Sequence, residues 1–282
     1  MEQTNRTWRF IRSGLGSPEW NMAVDEAIAI HVGEGKSEPT VRFYGWNPPS
    51  LSIGYFQQAE REIDLEEVAR RGIGFVRRPT GGRAVLHDRE LTYSIVVSEY
   101  DPMVPASVTE AYRVLSVGLV YGFRRLGLEA GMARLDGEDS KMATPGSAAC
   151  FDSPSWYELV VEGRKAAGSA QVRYHGALLQ HGSILLDLDA DLLFTLLKVP
   201  NERLREKLKA GFIRKAVAIN DCLRDLEKPP VGSKEAEEAF RLGLEEGLGV
   251  RLVEQSLTEG EVALARQLVA EKYGTKEWNL RR

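Results

Sequence analysis

An α+β fold, with a mixed, largely antiparallel central sheet flanked by helices, is predicted by three observations. Strand-like runs crowd residues 40–186, helical runs fill the rest, and strands joined by tight turns outnumber strand–helix–strand units. The first element is a helix opened by Ser17-Pro18-Glu19, with Trp20, Ala23, Val24, Ala27, Ile28 and Ile30 as a broad apolar face. Strands follow at 41–44 and 51–55, around Asn47-Pro48-Pro49. Asp64-Leu-Glu-Glu67 has the capping-box pattern of a short helix closing near Gly72. Residues 73–77, 83–87 and 91–97 read as strands, with the turn Pro79-Thr-Gly-Gly82 between the first two. A second capping box, Ser107-Val-Thr-Glu110, opens a helix whose stripe runs through Tyr112, Leu115, Leu119 and Phe123 to Leu126-Gly127. Residues 131–149 are polar and rich in small residues, and read as a loop.

A hairpin is predicted next: a strand over 156–161, the turn Glu162-Gly163, and a returning strand that begins at Lys165. Residues 178–186 read as a further buried strand. Beyond Asp189 helices dominate, at 192–199, at the start of the basic run 203–215, and at 234–248. The last helix is opened by Thr258-Glu-Gly-Glu261. Without internal repeats or a low-complexity linker, the 282 residues are expected to form a single domain.

Composition narrows the function. A net charge of −4 argues against broad nucleic-acid binding. No run approaches a membrane span, and the first residues lack the apolar stretch of a signal peptide. Two cysteines, Cys150 and Cys222, exclude a disulfide scaffold and suit a reducing cytoplasm. The four histidines (His31, His87, His175, His181) are scattered, so neither a metal site nor another cofactor is expected.

Two segments carry chemistry. The first brings Cys150 and Lys165 to the two sides of one strand. A free thiol is only about 3% ionised at pH 7, and the thiolate is the nucleophile. A positive charge at about 5 Å is worth roughly 3 kcal/mol at an effective dielectric of about 20, enough to bring the thiol to a pKa of about 7. On spacing alone Cys150 is either such a nucleophile or a buried core residue, and Lys165 either its partner or a solvated hairpin residue. The second segment, Arg77-Arg78-Pro79-Thr80-Gly81-Gly82-Arg83 followed by His87-Asp88, sets free backbone N–H groups among three arginines. It reads either as a cradle for an anion or carbonyl oxygen, or as an ordinary hairpin turn.

The second segment resembles the signature of the biotin/lipoate protein ligase superfamily. Gly163-Arg-Lys165-Ala-Ala-Gly168-Ser-Ala-Gln171 is similar to that superfamily's lysine motif, and Gln180-His181-Gly182-Ser183-Ile-Leu185 to the strand after it. Glu19-Trp-Asn21-Met22, Arg42-Phe-Tyr-Gly-Trp46 and Leu51-Ser-Ile-Gly54-Tyr55 also fit, so the likeness runs from residue 7 to Glu277-Trp-Asn279. The cysteine preceding the lysine by fifteen positions resembles the LipM type of octanoyltransferase. In the ATP-dependent ligases of the superfamily the lysine supports an acyl-adenylate without a thiol.

The resemblance implies a ligase-like catalytic core over 33–248 with a helical extension, 249–282, packed on it. It implies acyl transfer from octanoyl-acyl carrier protein to Cys150, then to a lysine of an apo lipoyl domain, foremost the glycine-cleavage H protein, by a cytoplasmic monomer that needs no ATP. Lys165 would lower the thiol pKa. Arg78, Gly81, Gly82, Arg83, His87, Gly168, Ser169, Gln171, His181 and Gly182 would contact substrate. Three alternatives share much of this pattern: an ATP-dependent lipoate ligase, an amidotransferase taking octanoyl from H protein, and a non-catalytic module presenting lipoyl domains.

Overall fold

Residues 6–134 and 157–282 are described by the computed structural model. In chain order the strands are β1 (Arg6–Gly16), β2 (Thr40–Trp46), β3 (Ser50–Ile53), β4 (Gly74–Arg77), β5 (Val85–His87), β6 (Glu90–Ser98), β7 (Ala130–Arg134), β8 (Tyr157–Val161), β9 (Arg164–Tyr174), β10 (Ala177–Leu185) and β11 (Val250–Glu254). The helices are α1 (Pro18–Gly33), α2 (Ala59–Glu62), α3 (Leu65–Arg70), α4 (Val108–Arg125), α5 (Ala190–Thr195), α6 (Glu202–Lys215), α7 (Ile219–Asp225), α8 (Ser233–Leu248), α9 (Glu259–Leu268) and α10 (Lys276–Asn279). A single π turn, Val269–Tyr273, continues α9.

Eight strands form the main sheet in the order β11-β1-β2-β6-β10-β9-β8-β7, and β4-β3-β5 form a small second sheet. Among the described residues of the main sheet, β1 pairs in parallel with β11 and with β2, and the other pairs are antiparallel. This is the mixed, largely antiparallel α+β architecture that the sequence predicts.

Strict alternation along the central strands gives the main sheet two different faces. On one, Phe43, Tyr93, Ile95, Leu178 and Ile184 pack beneath α4 and α8 in the largest core cluster. The two helices approach closely because glycines face one another: a Cβ on Gly247 would lie 2.5 Å from the Cα of Gly118. Phe123 and Phe240 meet edge to face at 4.9 Å across the same contact. The opposite face is covered by α1, which packs on β2, β6 and β10 and also meets β4 of the small sheet.

The helix starts follow their caps. Ser17, with Pro18 inside it, opens α1; Asp64 Oδ1 accepts the N–H of Glu67 at 3.0 Å in α3; and Thr258 and Glu261 form a reciprocal capping box in α9. The Glu67 side chain does not complete the box in α3; it pairs with Arg70 and Arg71 instead.

Three strands depart from the sequence pattern. β1 buries the unbroken run Trp8 to Ile11 instead of alternating, and its buried Arg9 is neutralised by Glu261 of α9, with Nη1 2.9 Å from Oε2. β11 runs beside β1 within a stretch read as helical. β7 occupies the first residues of the predicted 131–149 loop and pairs with β8, from Ala130 opposite Val161 to Arg134 opposite Tyr157. Backbone pairing, which any small residue can join, places it there rather than side-chain pattern.

Candidate active site

Between the two sheets lies a cavity enclosing about 370 Å³ of empty space, part of it open to solvent, with almost wholly apolar walls. Its floor is the second face of the main sheet. Arg42, Ser94 and His181 stand side by side across β2, β6 and β10, and Tyr44, Thr92 and Ser183 form the next row. Gly168 and Ala170 of β9 extend the rows opposite Ser183 and His181. Ser52, Arg78, Val85 and His87 of the small-sheet layer form the roof.

So many polar residues line an apolar cavity because they satisfy one another. Asp25 of α1 accepts hydrogen bonds from Arg42 Nη1 at 2.7 Å, the Tyr44 hydroxyl at 2.8 Å and the Ser94 hydroxyl at 2.9 Å, and pairs with His181 Nδ1 at 3.2 Å. Burial alone would raise the Asp25 carboxyl; Arg42 and His181 outweigh it and hold it below the ordinary carboxylate value. Burial pushes His181 down, against the opposing pull of Asp25. An ionised Asp25 only accepts, so a neutral His181 carries its proton on Nδ1. Its Nε2, 2.7 Å from Thr80 Oγ1, then accepts from that hydroxyl.

A second network mirrors the first. Glu90 accepts from Thr92 and Ser183 and pairs with His87 Nδ1 at 2.7 Å. His87 stacks on Trp46 with ring centres 4.1 Å apart, and its Nε2 lies 2.7 Å from Ser52 Oγ. Arg78 donates to the Ser52 carbonyl and hydroxyl and to the carbonyls of Gly81 and Arg83, which fixes the glycine turn from inside. Gly82 sits at φ 91°, and a Cβ on Gly54 would meet its carbonyl oxygen at 2.0 Å. With the polar groups turned on each other, the walls left for a ligand are ring faces, methyls and glycine backbone. Such a surface suits an alkyl chain.

Lys165 reaches this layer through a β-bulge. Leu159 pairs with Ala167 but Val160 with Lys165, so Ala166 is one residue extra in β9. Ala166 and Ala167 both pack in the main core, which puts Lys165 on the face carrying Gly168. Lys165 is 7% exposed, and its carbonyl accepts the N–H of Val217 at 3.0 Å.

Of the residues expected from sequence, Arg78, His87, Gly168, Ser169, His181 and Gly182 line the cavity together. Gly81, Gly82 and Arg83 shape the adjoining turn without lining it. Gln171 belongs to the other face, opposite Gln180, which donates to the Tyr93 hydroxyl at 2.9 Å. Cys150 lies outside the described residues. Cys222 is buried in the main core, where burial pushes its thiol up to about 11.

Asp25, Arg42, Ser94 and Glu90 were not among the expected site residues. The strand residues among them carry a signal, a polar residue set between apolar ones: Arg42 in 41–44, and Glu90, Thr92 and Ser94 at every second position of 90–94. Among the described residues no His, Cys, Asp and Glu cluster is arranged to hold a metal ion, and no helix is long and apolar enough to cross a membrane.

This arrangement, an apolar slot between a large and a small sheet with a lysine-bearing bulged strand beside it, matches a known class. Residues 17–241 match the lipoyl protein ligase A/B catalytic domain, and the chain belongs to that family. Within the family it groups with octanoyltransferases. The proteins called octanoyltransferase LipM from Anoxybacillus flavithermus and Geobacillus kaustophilus are each 58% identical to it over 277 residues, covering 98% of both chains. The Bacillus subtilis protein of that name is 54% identical over 98% of this chain and 99% of its own. Among solved structures, a lipoate-protein ligase A bound with ATP superposes with a TM-score of 0.77 at 32% identity, over 97% of this chain and 98% of its own. A bipartite lipoate protein ligase from Thermoplasma acidophilum gives 0.78 at 30% identity, over 98% and 97%.

Proposed function

We propose that this octanoyltransferase moves octanoyl from acyl carrier protein to a lysine of an apo lipoyl domain, foremost the glycine-cleavage H protein, through a thioester on Cys150. The Cys150 thiolate attacks the donor carbonyl, a C–S bond forms, and the carrier's thiolate leaves. The acceptor amine then attacks the enzyme thioester, an amide C–N bond forms, and the Cys150 thiolate is released as the amine gives up its proton. The first step exchanges one thioester for another and the second runs downhill to an amide, so the sequence needs no ATP. One nucleophile lets two bulky protein substrates use a single site in turn.

The observation that carries this reading is identity of 58% to octanoyltransferases along 98% of the chain. The apolar cavity supports it as a slot for the octanoyl tail, with the neutral His181 and the ionised Asp25 holding its floor rigid rather than exchanging protons. Lys165 is given two roles, stabilising the thiolate and then the oxyanion that forms on the attacked carbonyl. The reaction is placed in the cytoplasm, with the enzyme acting as a monomer.

The test is intact mass after incubation with octanoyl-acyl carrier protein. One octanoyl group should be gained, and Cys150→Ala should prevent it. A second reading, ATP-dependent ligation, draws on the likeness to the ATP-bound ligase. ATP–pyrophosphate exchange driven by octanoate, with no acyl-enzyme formed, would select it.

A further inference from the structure

The basic run 203–215 resolves into two sets of charges in α6. Arg205 pairs with Glu202 at 2.6 Å, and Lys209 pairs with Asp191 at 2.7 Å and Glu206 at 2.8 Å. Arg203, Lys207 and Arg214 are exposed and have no carboxylate partner among the described residues. At roughly 100° per residue these three fall within about 40° of one another and span about 16 Å of the axis. Leu208 and Phe212, on the other side of the helix, are buried. The outward stripe is therefore cationic, in a helix with six cations and two carboxylates, although the chain carries −4.

This stripe is coupled to the site by the chain itself. Ala216, directly after α6, bridges to Lys165, and the Val217 N–H donates to the Lys165 carbonyl at 3.0 Å. Beneath the helix, Leu193 and Phe212 line a second cavity, which shares Val85 with the first.

We propose that Arg203, Lys207 and Arg214 form the docking surface for the acidic acyl carrier protein that brings the octanoyl thioester. The inference rests on the octanoyl-transfer reading above. Complementary charge steers encounter and weakens with salt, while the chemistry happens elsewhere, so the surface acts on donor affinity alone. It also answers how an acidic enzyme captures an acidic partner: the repulsion is general, the attraction local.

The experiment is steady-state transfer by the charge-reversed variant Arg203→Glu/Lys207→Glu/Arg214→Glu, with octanoyl-acyl carrier protein and with the small donor octanoyl-pantetheine. The KM for the carrier should rise about tenfold at low ionic strength and lose its salt dependence, with kcat close to wild type. The KM for octanoyl-pantetheine should not move. An unchanged carrier KM overturns the proposal. So does a rise for both donors, which would place the effect in the cavity, or a rise for the lipoyl domain alone, which would assign the stripe to the acceptor. Failure of the wild type to take octanoyl from the carrier at all would instead sink the transfer reading itself, a result visible before any variant is made.

Discussion

The Thr80 hydroxyl lies 2.7 Å from Nε2 of His181, 101 residues away in sequence. One hydrogen bond thus fastens the glycine turn of the roof to the middle strand of the floor. Thr80→Val keeps the shape and removes the donor, leaving a buried imidazole nitrogen unsatisfied, at a cost of about 1–3 kcal/mol. The expected outcome is a several-fold rise in KM for the octanoyl donor with a smaller change in kcat, restored by Thr80→Ser. Equal KM values for Thr80→Val and wild type would show that the bond does not hold the turn.

His181 and its other partner, Asp25, make stability sensitive to acid. His181 and Asp25 both have folded pKa values below their ordinary ones. A depressed pKa contributes stability above the unfolded value, and that stability is lost as pH falls through the folded one. The loss should begin below about pH 6.5 for His181 and continue below about pH 4 for Asp25. Thermal melts from pH 8 to pH 3 check this: His181→Gln should flatten the upper part of the decline and leave the lower. A wild-type melting temperature that stayed level between pH 7 and pH 5 would contradict the assignment of a neutral His181.

The two cysteines should separate cleanly. Cys150→Ala and Cys150→Ser are expected to abolish transfer, since an alcohol ionises far above a thiol and Lys165 cannot close the gap. Cys222, with its thiol pushed up to about 11 and its side chain in the main core, should resist alkylation at pH 8. Cys222→Ala should cost about 1 kcal/mol of stability and leave turnover unchanged. Loss of activity in Cys222→Ala equal to that in Cys150→Ala would reverse the assignment.

Lys165→Ala should raise the pH midpoint for iodoacetamide alkylation of Cys150 and slow acylation. Lys165→Arg keeps the charge but moves it, and should retain partial activity. Coincident midpoints in wild type and Lys165→Ala would leave Lys165 a positioning role only.

Much of this fold and site is legible in the sequence, for identifiable reasons. Caps and Pro mark α1 and α9 because unpaired helical N–H groups demand them, and alternation marks β6, where Leu91, Tyr93, Ile95 and Val97 meet the main core while Thr92 and Ser94 face away from it. The glycine turn and the 163–171 motif lead to the cavity because glycines of neighbouring strands press on their backbone: a Cβ on Gly54 would meet the Gly82 carbonyl oxygen at 2.0 Å, and one on Gly182 that of Gly168 at 2.3 Å. β1 and β11 are less legible, since Arg9 is buried by a partner 252 residues away. Asp25 is a lone acid on an apolar helix face, and nothing local shows that Arg42, Tyr44, Ser94 and His181 converge on it. The bulge at Ala166 is equally silent, because two alanines read alike whether a strand alternates or slips.

The C-terminal residues hold the other side of the glycine turn, which gives the last prediction. Arg77 is wholly buried and donates to the carbonyls of Gly54, Tyr55, Gln57, Trp278 and Asn279. Burial first, then Arg281 and Arg282, bring its pKa down to about 10. Asn279 Oδ1 accepts the Arg77 backbone N–H at 2.7 Å, and the Trp278 indole N–H donates to the Arg77 carbonyl at 2.8 Å. α10 thus caps the outer edge of β4 with side chains, one residue before Arg78 enters the cavity roof. Asn279→Ala would strip the Arg77 N–H of its acceptor in a dry site, at about 1–3 kcal/mol. Because the loosened segment runs straight into Arg78, the variant should show both a lower urea midpoint and a raised KM for the octanoyl donor. A stability loss with donor KM unchanged would mean that α10 supports the fold without shaping the cavity.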